Sequence, residues 1–538
     1  MKNVLLFILS IFPLFCYANK WDGISSDTNW YSENQTEFYI KTEAQLKGLA
    51  DLVNSGEATF EGKKVFLLSD LDMNNYTWEP IGNSFGYVEK PFSGTFNGNG
   101  YTINNLNYTP NTINNDYLLK GLFGYVNKGT IENLQLNSSC IIDINSAKYS
   151  ITIWIGAVVG YGIKSNIYNV TSEMEIKYMR QLTDPKIYTG GISGYMRGGS
   201  IEQCKVKYNI SNSSTVYEPI NGCIGGIVGS CSDTDIKECS TKLFQQLYIN
   251  GYRERSDIGG IAGNIGNSSI SNCISLGSIT CNIRNSSNLP CIGGIVGTSI
   301  GLKMNDCISA TYIIHNLPNT YHVGAIHGLE FDNSEYSNLY YLKGIVDKDI
   351  DRATPIENKQ LTSGCPLDKL DSNIWGYKKG EYPYLQSLVS TYPITLSTEN
   401  GDISTFVREG ETYKAKIIPL DEWEIDQIFV NGVNQTENLN GQLFESNPIT
   451  EKTNISILYK KLSSTQIQEN VFNDQFNISI LNNKINVSNV KIGSHINIYN
   501  ISGMVVKQLI TQKEDINIEL EKGVYIVQIE KESIKVAL

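Results

Sequence analysis

The chain has 538 residues, with 41% hydrophobic and 18% charged residues and a net charge of −12, which allows three or four domains and a large core. The acidic balance excludes the electrostatic footprint of a nucleic-acid binder. Glycine is plentiful (47), proline sparse (14) and tyrosine abundant (32), a profile that suits short strands and turns and excludes a disordered chain or a helical bundle.

The first predicted element is a secretory signal peptide over residues 1–18. Lys2 precedes an apolar run over residues 4–15, and Cys16-Tyr17-Ala18 supplies small residues at the cleavage point. The run is too short to span a bilayer, and no later segment reaches the length a transmembrane helix needs. Phe15 stands before Cys16 where a lipidation signal wants a small residue. The mature chain is expected to start near Asn19.

Residues 19–119 read as an amino-terminal cap and the first coils of a repeat. Thr42-Glu43-Ala44-Gln45 has capping-box spacing, Leu46, Leu49, Ala50 and Val53 share one helical face, and Asn54-Ser55-Gly56 stops the helix. Asp70 and Asp72 alternate on a strand near Asn74, which makes them candidate calcium ligands, although the same pattern also makes an ordinary turn. Asn97-Gly98-Asn99-Gly100 is a glycine-rich turn without the βαβ context of a phosphate loop.

A repeat dominates residues 120–345. The pattern Gly-small-apolar-x-Gly ends at Gly124, Gly160, Gly194, Gly229, Gly263, Gly297 and Gly328, in steps of 36, 34, 35, 34, 34 and 31. A second column runs through Ile131, Ile167, Ile201, Ile236, Ile270, Met304 and Tyr336, and three residues further on stand Leu134, Val170, Cys204, Cys239, Cys273, Cys307 and Leu339. Short β-rich units of this size cannot bury their own apolar sides, so copies must stack. Helical repeats are excluded, because no unit holds ten residues of 3.6 periodicity. The expectation is a parallel β-solenoid of about seven ~34-residue repeats, with the helix as its cap. A fully extended coil would measure about 110 Å around, so a loop projects from each coil; residues 179–186 are one candidate. The recurring glycine marks either a positive φ or tight packing against the next coil.

That register recasts the eleven cysteines. Export would normally make them a disulfide framework. Yet Cys204, Cys239, Cys273 and Cys307 share a slot with Leu134, Val170 and Leu339, and parallel rungs about 4.8 Å apart do not offer the roughly 3.8 Å Cβ separation of a disulfide. They are expected to be a buried stack of free thiols. Cys140, Cys223, Cys231, Cys281, Cys291 and Cys365 stand outside the column, and Cys223 with Cys231 is the candidate pair across a turn.

Lys120-Gly121-Leu122-Phe123-Gly124 resembles the core of the GLUG-motif repeat proteins. The resemblance runs from Trp21-Asp22-Gly23 through Asp70-Leu71-Asp72, Trp78-Glu79-Pro80-Ile81-Gly82 and residues 92–100, and ends near Trp375 and Tyr382-Pro383-Tyr384-Leu385. It implies a bacterial surface protein whose solenoid closes over residues 346–390. GLUG repeats also occur in certain immunoglobulin-cleaving metallopeptidases, which need H-E-x-x-H to hold zinc. His315, His322, His327 and His495 are the four histidines, and none stands in that motif.

Two small β-modules follow. Residues 391–461, with Gly410-Glu411-Thr412, Trp423-Glu424-Ile425 and Val430-Asn431-Gly432, resemble the listerial-type B-repeat domain, which implies a spacer. Residues 464–538 alternate apolar and polar with glycine turns, the mark of a small sandwich. Ser502-Gly503-Met504-Val505-Val506 and Gly523-Val524-Tyr525 resemble the type IX secretion carboxyl-terminal sorting domain of Bacteroidetes. That implies export by the type IX machinery and attachment at the cell surface, although Ala537-Leu538 stand where a basic ending is common.

The function expected is a non-enzymatic adhesin or binding protein. Its solenoid displays loops and an aromatic face, Tyr125, Tyr161 and Tyr195, each directly after a repeat glycine, to a host or bacterial surface glycan or protein. No cofactor is expected. The alternative is a polysaccharide-active β-helix enzyme, a lyase or glycoside hydrolase, which needs clustered carboxylates beside a basic residue. Asp233 and Asp235 fall in a turn, and no carboxylate pair recurs beside a lysine or arginine.

Overall fold

The computed structural model describes residues 20–537, except 86–87, 109–116, 143–151, 179–185, 213–220, 251–254, 286–289, 317–321, 332, 347–351, 390, 399–400, 410, 420–422, 462–469, 473–475, 482–483, 501–502 and 531. The signal-peptide segment, Cys16, the candidate loop at 179–185 and the Cys140 side chain lie outside the described residues. The chain divides into two compact units, Met1–Pro393 and Ile394–Leu538.

The first unit is a parallel β-solenoid. Seven strands, Tyr117–Lys120, Thr152–Gly156, Lys186–Gly190, Asn221–Gly225, Ser256–Gly259, Cys291–Gly293 and Val323–Gly324, stack in one parallel sheet. Their successive pairings make about six turns. A 22-stranded sheet carries the other faces of each coil. Identical repeat positions pair directly: Ile131 on Ile167, Ile167 on Ile201, Ile201 on Ile236, Ile236 on Ile270, Ile270 on Met304, Met304 on Tyr336. The five isoleucines of this column are fully buried, and each such side chain contributes roughly 1.5–3 kcal/mol of transfer free energy.

The glycine column answers to packing, since none of its seven members has a positive φ. A Cβ on Gly229 would stand 2.5 Å from the Thr189 backbone nitrogen and 2.7 Å from the Gly194 carbonyl oxygen, and one on Gly263 would stand 2.6 Å from the Gly229 oxygen. Left-handed backbone falls instead on the residue just before the Leu/Val/Cys column: Asn133, Asn169, Gln203, Glu238, Asn272, Asp306 and Asn338 have φ between 51° and 55°. Asparagine and aspartate tolerate this region best. Here they also bond along the stack, Asn169 Nδ2 donating to Asn133 Oδ1 at 2.8 Å and Asn338 Nδ2 to Asp306 Oδ1 at 2.8 Å.

Inside this corner, Cys204, Cys239, Cys273 and Cys307 are fully buried free thiols. Each donates to the carbonyl oxygen two residues earlier at 3.2–3.3 Å. Burial pushes Cys204, Cys239 and Cys273 well above the ordinary thiol pKa.

Helix α1, Glu43–Ser55, follows the first rung of the stack, Glu37–Ile40. Thr42 caps it by accepting from the Gln45 backbone N–H, Gln45 Oε1 accepts from the Lys41 N–H, and Gly56 ends it at φ 84°. Leu46, Leu49, Ala50, Leu52 and Val53 join the same continuous core as the solenoid. At the other end of this unit the closing segment returns along the asparagine corner. The buried Trp375 indole donates to Asn272 Oδ1 at 3.2 Å, and Ser387, Leu388 and Val389 share a small cavity with Asn133 and Asn169.

The second unit holds two small β-modules. In the first, a five-stranded sheet centred on Thr453–Lys461 accompanies a three-stranded antiparallel sheet. In the second, two four-stranded antiparallel sheets, with His495–Asn500 and Lys484–Ser488 among their inner strands, enclose Ile478, Ile485, Val487, Ile496, Ile498, Ile518 and Val527. Among the described residues no helix is long and apolar enough to cross a membrane.

Candidate functional site

In-register parallel stacking sets equal side chains one above another at about 4.8 Å, and in two adjacent columns the side chains are aromatic. Trp154, on Thr152–Gly156, pairs with Tyr188, on Lys186–Gly190. On the following strand of each coil, Tyr125 pairs with Tyr161 and Tyr161 with Tyr195. The rings stack along the columns, Tyr161 on Tyr195 at 5.3 Å and 11°, Trp154 on Tyr188 at 6.1 Å and 16°. They also meet across the columns, Trp154 with Tyr161 at 5.3 Å and Tyr188 with Tyr195 at 6.3 Å. Trp154, Tyr161, Tyr188 and Tyr195 are half-buried and form a four-ring shelf.

Tyr125 does not belong to the exposed part. It is 1% exposed and donates its hydroxyl to Glu89 at 3.0 Å. Burial, reinforced by Glu89, raises its pKa far above the usual phenol value, and burial raises that of Tyr161 as well. The aromatic face read from Tyr125, Tyr161 and Tyr195 therefore loses its first member and gains Trp154 and Tyr188. The missed pair had a signal: the two residues are 34 apart, each seven positions before a column tyrosine.

Beyond the shelf the same columns turn polar. Cys223, Asp257 and Cys291 continue the first, and Ser230, Asn264 and Thr298 the second. Asp257, 5% exposed, accepts from Arg255 Nε at 2.9 Å, Thr298 Oγ1 at 2.8 Å and Asn264 Nδ2 at 3.0 Å. A carboxylate so fully bonded ties coils together. Cys223 and Cys231, the candidate pair, are separate buried free thiols. They stand on strands of different sheets, Asn221–Gly225 and Val228–Lys237. Cys281 and Cys291 are likewise buried and free, and Cys365 is exposed.

Each calcium candidate holds internal hydrogen bonds on its Oδ1. Asp70 Oδ1 accepts from the Thr102 N–H at 2.9 Å, and Asp72 Oδ1 accepts from Asn105 Nδ2 at 2.7 Å and the Asn74 N–H at 2.9 Å. The Asn105 bond leads in holding the Asp72 pKa below its ordinary value. Both carboxylates thus stitch one coil to the next, and among the described residues no three His, Cys, Asp or Glu side chains gather as a metal site. Asp233 sits at a left-handed corner with φ 53°, and Asp235 accepts from Ser269 Oγ at 2.5 Å. His327 is buried under the Tyr336 ring at 5.0 Å, with Nε2 3.5 Å from Glu330, which Arg352 also grips at 2.7 Å. Burial lowers the His327 pKa.

Fold and surface together define a β-solenoid protein with a rigid aromatic shelf. No family model and no curated protein matches the chain. Among solved structures it is similar to one titled IgA1 Protease, at 17% identity and a TM-score of 0.35, over 59% of this chain and 22% of that one. The similarity thus spans less than a quarter of that protein's length.

Proposed function

We propose that the protein is a secreted, surface-attached, non-enzymatic adhesin of the GLUG-motif repeat kind. In this reading residues 464–538 direct export through the type IX machinery, and residues 391–461 act as a spacer. The observation that carries it is the four-ring shelf. Trp154, Tyr161, Tyr188 and Tyr195 are held on adjacent rungs of a hydrogen-bonded stack, so they lose little conformational freedom when a glycan or protein docks. The coil-to-coil hydrogen bonds of Asp70 to Thr102, Asp72 to Asn105 and Asp257 to Thr298 support a structural part for these carboxylates. The test uses cells displaying the full chain. Trp154→Ala with Tyr188→Ala is expected to reduce attachment to the target surface several-fold while surface display is retained. Release of reducing ends or unsaturated products from a glycan panel by the purified mature protein would overturn the non-enzymatic reading, and recovery of the chain in the periplasm alone would overturn the location.

A further inference from the structure

We infer that a second surface of the solenoid, a groove of about 510 Å³ across the last strands of successive coils, binds an uncharged, hydroxyl-rich oligosaccharide. The groove crosses Thr130–Ile142, Val159–Tyr178, Lys205–Asn212 and Ser240–Asn250. Register stacks Asn137, Glu173 and Lys207 in one column, and Ser139, Glu175, Asn209 and Phe244 in the next. Three rung steps make the second column about 14 Å long, the reach of a short oligosaccharide.

The chemistry of the lining selects the ligand. Its charges are internally matched, Lys207 with Glu173 at 3.3 Å and Glu175 with Lys177 at 3.0 Å, so the groove offers little to a polyanion or a polycation. Asn137 and Asn209 are exposed amides, each both donor and acceptor, which is what ligand hydroxyls require. Phe244, 45% exposed, presents an aromatic face at one end, with Lys242 Nζ 5.9 Å from its centroid. A flat apolar ring beside polar groups is the surface on which the C–H face of a sugar stacks. The groove uses other residues than the shelf, so either site can fail alone.

The test is affinity electrophoresis of the full mature protein in gels containing neutral polysaccharides (mannan, xylan, a β-glucan) or anionic ones (alginate, polygalacturonate). Retardation by at least one neutral polymer is expected, and it should persist at about 0.5 M salt, where charge attraction is screened. Phe244→Ala is expected to weaken it on the order of tenfold, and Asn209→Ala to weaken it less. Lys303→Ala, on a strand outside the groove, should keep wild-type retardation, read as mobility relative to its own polymer-free gel. Retardation by the anionic polymers alone, by no polymer, or undiminished in folded Phe244→Ala and Asn209→Ala overturns the groove. Attachment of Trp154→Ala cells is read separately and decides the shelf.

Discussion

At Gly229 the backbones of two coils approach so closely that a methyl group has nowhere to go. Gly229→Ala puts a Cβ 2.5 Å from the Thr189 nitrogen, and overpacking of this kind costs about 1–3 kcal/mol. The expected result is a lowered denaturant midpoint with an unchanged circular dichroism spectrum in water. At Asn272 the demand is for left-handed backbone, φ 51°, together with an acceptor for the Trp375 indole. Asn272→Ala loses both and is expected to cost about 2 kcal/mol, with Asn272→Gly recovering the backbone part; equal losses in the two variants would contradict this division. The two sites also explain what could be read from the sequence. The glycine column stands out because the contact admits one residue type. The left-handed corner one residue before the cysteines accepts asparagine, aspartate, glutamine and glutamate alike, so its seven members do not announce themselves as a column.

Among elements, helix α1 was legible because its cap, apolar face and stop are all local. Thr42→Ala removes the side chain that accepts from the Gln45 N–H and is expected to lower unfolding free energy by about 1 kcal/mol, measured by urea titration. The shelf was half legible: Tyr161 and Tyr195 follow the glycine column, whereas Trp154 and Tyr188 give way to Cys223, Asp257 and Cys291 on the next rungs, so no repeated residue type marks them. The buried thiols make a pH prediction. Burial pushes Cys231 and Cys281 up to about 12 and Cys291 up to about 11, and raises Cys204, Cys239 and Cys273 well above the ordinary value. The folded chain therefore keeps protons that the unfolded chain releases once pH exceeds its own thiol pKa of about 8.5. The stabilisation is fully present below that pH and is lost as pH rises above it, by at most about 1.4 kcal/mol per pH unit for each thiol. A denaturant midpoint that stays flat from pH 8 to 10 would contradict it. Cys239→Val, which keeps a medium apolar side chain in a slot that holds Val170 in another coil, is expected to cost under about 1.5 kcal/mol.

For the first unit as a whole, stability is close to a sum over neighbouring coils, because each rung hydrogen-bonds to the rungs beside it. Such a stack opens from its ends, and interior coils persist longest. The four stacked thiols turn that property into something that can be watched. Cys204, Cys239, Cys273 and Cys307 occupy one position in four consecutive coils, each inaccessible while its coil is closed, and each lies in a different stretch of sequence, separable by peptide mapping. An alkylating pulse at rising denaturant would therefore time the opening of each coil individually, with the exposed Cys365 as the internal zero. In this protein the cysteines serve as a built-in clock for unravelling, one tick per turn.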